Sequence, residues 1–226
     1  MESFYPLPDN QVGIYYECAK APESTVYNIP FYALFPLAEV DIDRLCLAYR
    51  AAVALWPSLS CAVQVRDGVP TMVYRDALPI EMTAKRQARL ELPTLCAAFV
   101  HPFDLEKDAL YRAAVFYDDR EAALFLDFHH LVMDGASMEM FCAQLDRLYR
   151  GLAPDAPGTG MPAVTAQLRA SQASPAAAEN EAYFLQMLSE AEGGTAPVPD
   201  LYAGPEAAPA NARLVFDAAL TADDLD

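Results

Sequence analysis

The chain has 226 residues, which is enough to bury a full hydrophobic core in one large or two small domains. Hydrophobic residues make up 54% and charged residues 21%, a composition typical of a soluble globular protein and not of a disordered one. The net charge of −17 argues against nucleic-acid binding, because a polyanion would be repelled at most faces of the protein.

The cysteines and the opening residues indicate a cellular compartment. The five cysteines are scattered and lie mostly in apolar segments, so they resemble small buried hydrophobic residues more than a disulfide framework. Residues 1–10 lack the basic and apolar regions of a signal peptide, and no apolar run approaches the roughly 20 residues of a membrane span. We therefore expect a cytoplasmic protein with no membrane partner.

The first third of the chain predicts helices and strands in alternation. Residues 11–19 are typical of a short helix with its N-cap at Asp9 or Asn10. Residues 27–35 predict a strand. Asp41 is a good N-cap for the following helix, whose apolar positions keep helical spacing and indicate packing on a sheet.

A hairpin is the natural interpretation of the next segment. Residues 60–65 and 69–74 have strand composition and flank the pair Asp67-Gly68, which favours a tight turn. Residues 80–84 predict a further strand.

A second hairpin is predicted in the middle of the chain. After a helix at residues 93–100, two long strands at 110–117 and 121–128 are joined by the turn 118–120. The chain therefore predicts an α/β fold of the α+β sandwich type, with a mixed or largely antiparallel sheet covered by helices.

The segment HHLVMDG, His129 to Gly135, is the most informative feature of the chain. Residues 122–128 are almost continuously apolar and predict a central strand covered on both faces, so the two histidines emerge from a core. The apolar positions of the following helix are Met138, Phe141, Leu145 and Leu148. The motif thus lies in a strand-to-helix turn, where α/β proteins often keep their chemistry.

The residue types of this turn suit proton transfer. An imidazole titrates near neutrality, so His130 is the candidate base that takes a proton from an attacking amine or hydroxyl. Asp134 is interpreted as structural, because it can fix a ring or lock the turn. Gly135 is interpreted as conformational, because it allows a backbone geometry or a close approach that a side chain would block.

Two other interpretations of the histidine pair remain open. An isolated pair at a strand end is often a satisfied polar cap. Two histidines and an aspartate could also ligate zinc or iron(II), but adjacent strand residues point to opposite faces, so His129 and His130 cannot easily share one ion. We therefore expect no metal in this site.

The composition changes after Gly151. Residues 151–162 are rich in Ala, Pro and Gly and predict a linker, and a helix resumes over 176–191 with Tyr183, Phe184 and Leu188 on its apolar side. Another Ala/Pro-rich stretch covers residues 193–210. Residues 212–220 then predict a strand, followed by the N-cap of a further helix.

Taken together, these residues resemble the condensation domain of non-ribosomal peptide synthetases, a branch of the chloramphenicol-acetyltransferase-like superfamily. HHLVMDGAS matches the signature HHxxxDGxS of that family. Further matching segments occur in the same order over most of residues 5–200, namely PLPDNQVGIYYEC, YNIP, PFDLEKDALYRAAVF and EAYFLQMLSEAEG.

The resemblance implies a fold of two similar lobes with a tunnel between them. The chain would supply the N-terminal lobe in residues 1–170, and a connecting helix, a linker and the start of a truncated C-terminal lobe in residues 171–226. We expect such a fragment to be inactive alone, because His130 would face solvent where water should be excluded. The apolar face left bare could drive a homodimer that imitates the missing lobe.

The resemblance also implies a reaction. The amine of an acceptor aminoacyl thioester attacks a donor thioester, and both substrates arrive on phosphopantetheine arms of carrier proteins, so the chain itself binds no cofactor. His130 would be catalytic, Asp134 its structural partner and His129 a packed structural residue. The backbone near Gly135 would line the donor side, where its amide can hold developing charge.

The chain departs from the family at one position. One arginine of the family run resembling RHxxLRT pairs with the motif aspartate, but the matching residues 55–61 contain no arginine. Arg112, in the neighbouring strand, is the best substitute partner for Asp134, although it could equally be a surface strand residue. If Asp134 were buried and unpaired, activity would be impaired.

Two alternative functions therefore stay open. A related O-acyltransferase would use the same histidine to form esters from acyl-CoA or carrier-bound acyl groups. A catalytically silent lobe would only dock carrier proteins. A docking patch could use the arginines of the helices, which are otherwise ordinary solvated residues, namely Arg44, Arg50, Arg147 and Arg150.

Overall fold

A computed structural model describes residues 4–75, 80–155 and 161–190. The strands are β1 (Phe4–Pro6), β2 (Asn28–Pro36), β3 (Cys61–Arg66), β4 (Val69–Tyr74), β5 (Thr83–Arg86), β6 (Tyr111–Tyr117) and β7 (Glu121–His129). The helices are α1 (Asp9–Lys20), α2 (Ile42–Ala54), α3 (Leu92–Phe99), α4 (Gly135–Tyr149), α5 (Met161–Gln172) and α6 (Pro175–Glu190). The chain divides between Ser174 and Pro175 into two compact units.

The strands of the first unit form two sheets. One has the order β1-β4-β3 and the other the order β2-β7-β6-β5. Neighbouring strands run antiparallel except for β5 and β6, which are parallel. The expected mixed, largely antiparallel arrangement with helices outside is confirmed. The sequence predicted a single sheet, however, and missed β1, because a three-residue strand is too short to show periodicity.

β7 is a central strand with both faces covered, as predicted. It pairs with β2 on one side and β6 on the other. Its side chains alternate between two cores, as the two-residue period of a strand requires. Ala122, Leu124, Leu126 and Phe128 belong to the larger core, and Ala123 and Phe125 belong to a smaller one that α3 helps to cover.

The larger core lies against α2 and α4, which pack on each other. On α4, Phe141 and Leu145 are buried, and Met138 and Leu148 pack partly buried against the same core. This confirms the predicted apolar stripe. The side chain of Asp41 accepts a hydrogen bond from the Arg44 amide at 3.0 Å, which confirms the predicted N-cap of α2.

The β3–β4 hairpin closes through the predicted Asp-Gly turn. Asp67 has φ 51° and Gly68 has φ 78°. A two-residue turn with positive φ at both positions is the type I′ turn, whose twist matches that of the flanking strands. Asparagine, aspartate and glycine tolerate that backbone region best, which explains why this turn could be predicted from the sequence.

Several element boundaries differ from the prediction. α1 has Pro8 as its N-cap residue and begins at Asp9, so neither Asp9 nor Asn10 caps it. β5 begins at Thr83, later than the predicted residue 80.

The predicted linker 151–162 contains the start of an unpredicted helix, α5. Proline is tolerated in the first turn of a helix, so a Pro-rich start does not exclude one.

The predicted helix near residue 176 is present as α6. Its aromatic and aliphatic side chains Tyr183, Phe184 and Leu188 are all exposed, so the apolar side of α6 is not buried. None of the helices in the described residues is long and apolar enough to cross a membrane. The stretch 193–210 and the predicted strand 212–220 lie outside the described residues.

Candidate active site at the end of the central strand

The histidine pair ends β7 with its two rings in opposite environments. His129 is 3% exposed, whereas His130 is exposed. The difference follows from their positions, because His129 is the last residue of β7, whose two faces are both covered, and His130 lies in the turn beyond the strand. Among residues 4–75, 80–155 and 161–190, no group of three histidine, cysteine or acidic side chains is placed to hold a metal ion.

His129 is held as a neutral ring. Its Nδ1 accepts a hydrogen bond from the Leu131 amide at 3.2 Å, which leaves the ring proton on Nε2. Nε2 lies 3.5 Å from Cys18 Sγ, so this proton points to the thiol. Burial, together with the smaller effect of the neighbouring His130, lowers the pKa of His129 to about 4. The expected structural role of His129 fits this environment.

His130 projects from the strand end with a fixed backbone. Its amide donates to the Tyr27 carbonyl at 2.9 Å. The Tyr27 ring also lies edge-on to the His130 ring, at 6.5 Å between centroids and 78° between planes. A base at this position is anchored through its main chain while its imidazole stays open to an approaching substrate.

Asp134 caps α4. Its Oδ1 accepts a hydrogen bond from the Ser137 amide at 2.8 Å, and this bond holds the pKa of the exposed carboxyl below its usual range. Asp134 therefore has a structural contact, but with the start of a helix and not with a basic side chain. Because the Asp134 carboxylate is exposed and hydrogen-bonded, it carries no penalty for being buried without a partner.

Arg112 does not pair with Asp134, which corrects the sequence-based expectation. Its Nη1 lies 3.2 Å from Asp127 Oδ2, in an ion pair whose side chains are 15% and 0% exposed. The reason is the register of the sheet, since Arg112 on β6 lies directly opposite Asp127 on β7. Asp134 lies beyond the end of β7, at the start of α4.

Asp127 lies two residues before the histidine pair and was not among the residues singled out from the sequence. Its Oδ2 also accepts a hydrogen bond from Asn28 Nδ2 at 2.8 Å. Burial raises the pKa of Asp127 to about 6, against the opposing effects of Asn28 and Arg112. One signal could have identified it, because an acidic residue in an otherwise apolar strand needs a partner when it is buried.

Gly135 begins α4 in open space. Its φ is not in the left-handed region, and a Cβ added there would meet nothing within 4 Å. The backbone conformation therefore does not require glycine in this chain, which corrects that part of the conformational interpretation. The other predicted reason for glycine, that it allows a substrate to approach the backbone closely, remains a prediction. The first N–H groups of a helix have no intrahelical partner, so the Gly135 amide can face an anion.

Two clefts lie in the first unit. One, of about 520 Å³, lies between the end of α1 and the loop 102–108, and both His129 and Cys18 line it. The other, of about 750 Å³, lies beside β6 and includes Arg112. His130 lines neither cleft.

The arginines considered for a docking patch all have intramolecular contacts. Arg44 stacks on the Tyr149 ring and Arg50 donates to the Met82 carbonyl. Arg147 pairs with Asp155, and Arg150 pairs with Asp146. These contacts agree with the interpretation of ordinary surface residues.

The comparison with known families decides the identity of the fold. The family described as the condensation domain matches residues 1–221. The chain belongs to this family. The resemblance drawn from the HHxxxDG segment is thereby confirmed.

Similar curated proteins are bacterial peptide synthetases. Bacitracin synthase 3 of Bacillus licheniformis is 32% identical over 151 residues, which is 66% of this chain and 2% of that protein. Surfactin synthase subunit 2 of Bacillus subtilis (strain 168) is 27% identical over 83% of this chain and 5% of its own length. The condensation-domain chain thus spans a few per cent of these large relatives.

Similar solved structures share the fold. The starter condensation domain of rhizomide synthetase matches with a TM-score of 0.69 and 19% identity, over 82% of this chain and 48% of that one. The condensation domain of the monacolin K polyketide synthase MokA matches with a TM-score of 0.75 and 17% identity, over 87% of this chain and 45% of that one. The expected fold class, a mixed sheet covered by helices, is confirmed, and the chain spans about half of these solved domains.

Proposed function

We propose that this chain is the first lobe of a peptide-bond-forming condensation domain in a non-ribosomal peptide synthetase. Residues 1–170 would form the lobe, and residues 171–226 would connect it to a second lobe. The observation that carries the proposal is the exposed imidazole of His130, anchored through its backbone at the end of a buried strand in the HHxxxDG turn. The similarity to peptide synthetases supports an amine as the nucleophile.

The proposed reaction transfers an acyl group from sulfur to nitrogen. The acceptor amine attacks the donor thioester carbonyl, and a C–N bond forms as the carbonyl oxygen gains negative charge. The C–S bond then breaks and the thiolate leaves. His130 takes the proton that the amine loses and returns it to the thiolate, so that the imidazole is unchanged after one turnover.

The other residues of the turn support this step. The Gly135 amide, at the positive end of the α4 dipole, would hold the developing oxyanion. Asp134 would fix the start of α4 through its bond to the Ser137 amide. His129 cannot serve as the base through Nε2, because the Leu131 amide occupies Nδ1 and leaves the proton on Nε2.

The substrates would be delivered by partner proteins. Both thioesters would be attached to phosphopantetheine arms of carrier-protein domains, so the chain would need no cofactor of its own. A second lobe would face His130 and exclude water from the thioester. With His130 exposed in this chain, we expect the 226-residue chain alone to be inactive.

An experiment with matched acceptors tests the proposal. A two-lobe protein, made by joining this chain to the second lobe of a condensation domain, is given a carrier-bound donor and two acceptors that differ only in an amine or a hydroxyl. We expect an amide product by mass spectrometry, and no product from the 226-residue chain alone. An ester formed in preference to an amide would identify an O-acyltransferase. Carrier binding without either product would indicate a silent docking lobe.

A further inference from the structure

We propose that Asp127, with Asn28 and Arg112, is a positioning residue that holds the backbone of His130 in place. The proposal deepens the function proposed above and rests on it for the role of His130. Asp127 would touch no substrate. It acts on the backbone that carries the base.

The three side chains close a ring of polar contacts around one carbonyl. Asp127 Oδ2 contacts Asn28 Nδ2 at 2.8 Å and Arg112 Nη1 at 3.2 Å. Both of these nitrogen atoms also donate to the His101 carbonyl, at 3.0 Å from Asn28 and 2.6 Å from Arg112. The ring therefore ties together three separate parts of the chain: the start of β2, the loop after α3, and the β6–β7 pair.

The ring connects to His130 through the start of β2. Asn28 lies opposite His129 in the sheet register. The residue before it, Tyr27, accepts the His130 amide and places its ring against the His130 ring. Holding Asn28 to Asp127 therefore holds the carbonyl that anchors the base.

A second connection reaches His129. The Arg112 guanidinium lies 3.7 Å from the centroid of the Phe103 ring, and Phe103 packs edge-on against the His129 ring at 5.9 Å. Arg112 also donates to the Pro102 carbonyl at 3.3 Å, which fixes the loop that carries Phe103. The histidine pair is thus held from both adjoining segments.

The energetics favour a positioning role over simple packing. Asp127 is fully buried, and its Oδ1 has no hydrogen-bond partner among the described residues. Apolar residues of similar size in place of both Asp127 and Arg112 would avoid the desolvation of two charges, and such replacements of a whole buried ion pair are often neutral or stabilising. The costly ion pair is better explained by the geometry that it imposes at the strand end.

The test uses the 226-residue chain and needs no catalysis. Asp127→Asn removes the charge at nearly constant volume, and Asn28→Ala removes the two amide contacts but keeps the ion pair. The matched control is Asp119→Asn, because Asp119 pairs with Arg86 on the exposed surface. Hydrogen exchange is followed by NMR for the amides of His129 and His130, and for those of β4 in the other sheet.

We expect both variants to raise the exchange rate of the His130 amide at least tenfold while the β4 amides stay unchanged. The ring chemical shifts of His130 should also change at constant pH, a signature that a change in global stability would not produce. The chain has three histidines, so these signals can be assigned by single substitutions. Asp119→Asn should alter neither readout.

Two results would overturn the proposal. Equal loss of protection in β4 and at His130 would show a purely structural role, and unchanged exchange and ring shifts at His130 would show that the ring of contacts does not reach the base. If Asp127→Asn does not fold, Asn28→Ala decides alone by the same criteria. None of these outcomes depends on the amide-forming activity, which is tested separately in the two-lobe protein.

Discussion

His129 and His130 are neighbours in the sequence with opposite surroundings. The buried ring of His129 is neutral and hydrogen-bonded at both nitrogens, while the exposed ring of His130 is held by its backbone and by the edge of Tyr27. Their positions explain the difference, because His129 is the last residue of β7, which is covered on both faces, and His130 lies in the turn beyond the strand.

The depressed pKa of His129 predicts a specific pH dependence of stability. The folded-state pKa of about 4 lies below the ordinary 6.5, so the unfolded chain binds the proton first. The contribution of the neutral ring is fully present above pH 6.5 and is lost as the pH falls towards 4. The 2.5-unit difference corresponds to roughly 3 kcal/mol.

The measurement compares the wild-type chain with His129→Gln by denaturant unfolding between pH 7 and 4. The comparison cancels the opposite effect of Asp127, whose raised pKa favours the folded state as the pH falls below about 6. We expect the wild type to lose stability relative to the variant across this range. A constant difference, or a His129 ring that titrates near pH 6.5 by NMR, would contradict the assignment.

For individual residues, the sequence predicted which ones form the motif but not which residues they contact. The position of His130 at a strand end followed from the apolar run before it. The pairing of Arg112 with Asp127 depends on the register between β6 and β7, which a single sequence does not specify. The contact between Cys18 and His129 joins residues 111 positions apart, so no local sequence pattern predicts it.

The elements that position the site are strand β7 and helix α4. Their type and approximate bounds were predictable, because β7 has a continuous apolar run and α4 a clear helical period. The unpredicted elements were β1, which is too short, and α5, which begins in a Pro-rich stretch. The separation into two sheets also depends on long-range pairing between β1 and β4 that the sequence does not reveal.

Substitution of Gly135 tests whether the start of α4 matters for stability or for catalysis. Gly135→Ala should leave the unfolding free energy within about 0.5 kcal/mol, because the added Cβ meets open space and alanine favours a helix. In the two-lobe protein it should slow amide formation at least tenfold, because the methyl group would obstruct close approach to the helix amides. Chemical denaturation and product formation measure the two effects.

The control for this variant is Gly13→Ala on α1, where a Cβ also meets nothing within 4 Å. We expect it to stabilise the chain modestly and to leave amide formation unchanged. Full activity of Gly135→Ala would remove the proposed approach of substrate to this amide.

The capping role of Asp134 has its own signature. Asp134→Ala should lower the unfolding free energy by about 1 kcal/mol, the usual loss of an N-cap, because the Ser137 amide loses its acceptor. Asp41→Ala on α2 is a matched control with the same capping geometry and should cost a similar amount. A loss above about 3 kcal/mol for Asp134→Ala alone would instead indicate a buried ion pair.

The whole molecule exposes apolar surface that a larger assembly could cover. Tyr183, Phe184 and Leu188 of α6 are each more than half exposed. Because apolar patches of this kind mark interaction sites, we expect the isolated chain to form a homodimer at micromolar concentration. Light scattering over a concentration series should give twice the mass of one chain, and joining a second lobe should restore a monomer. A monomer at every concentration would exclude this behaviour.

The proposed mechanism requires His130 to take the proton from the acceptor amine during amide formation. The most direct measurement is the rate of amide formation by the two-lobe protein and by its His130→Ala variant, with the same carrier-bound donor and acceptor. We expect the variant to retain its fold and to be slower by about 10²- to 10⁴-fold, the usual contribution of a general base. Amide formation by His130→Ala at the unchanged rate would contradict the claim.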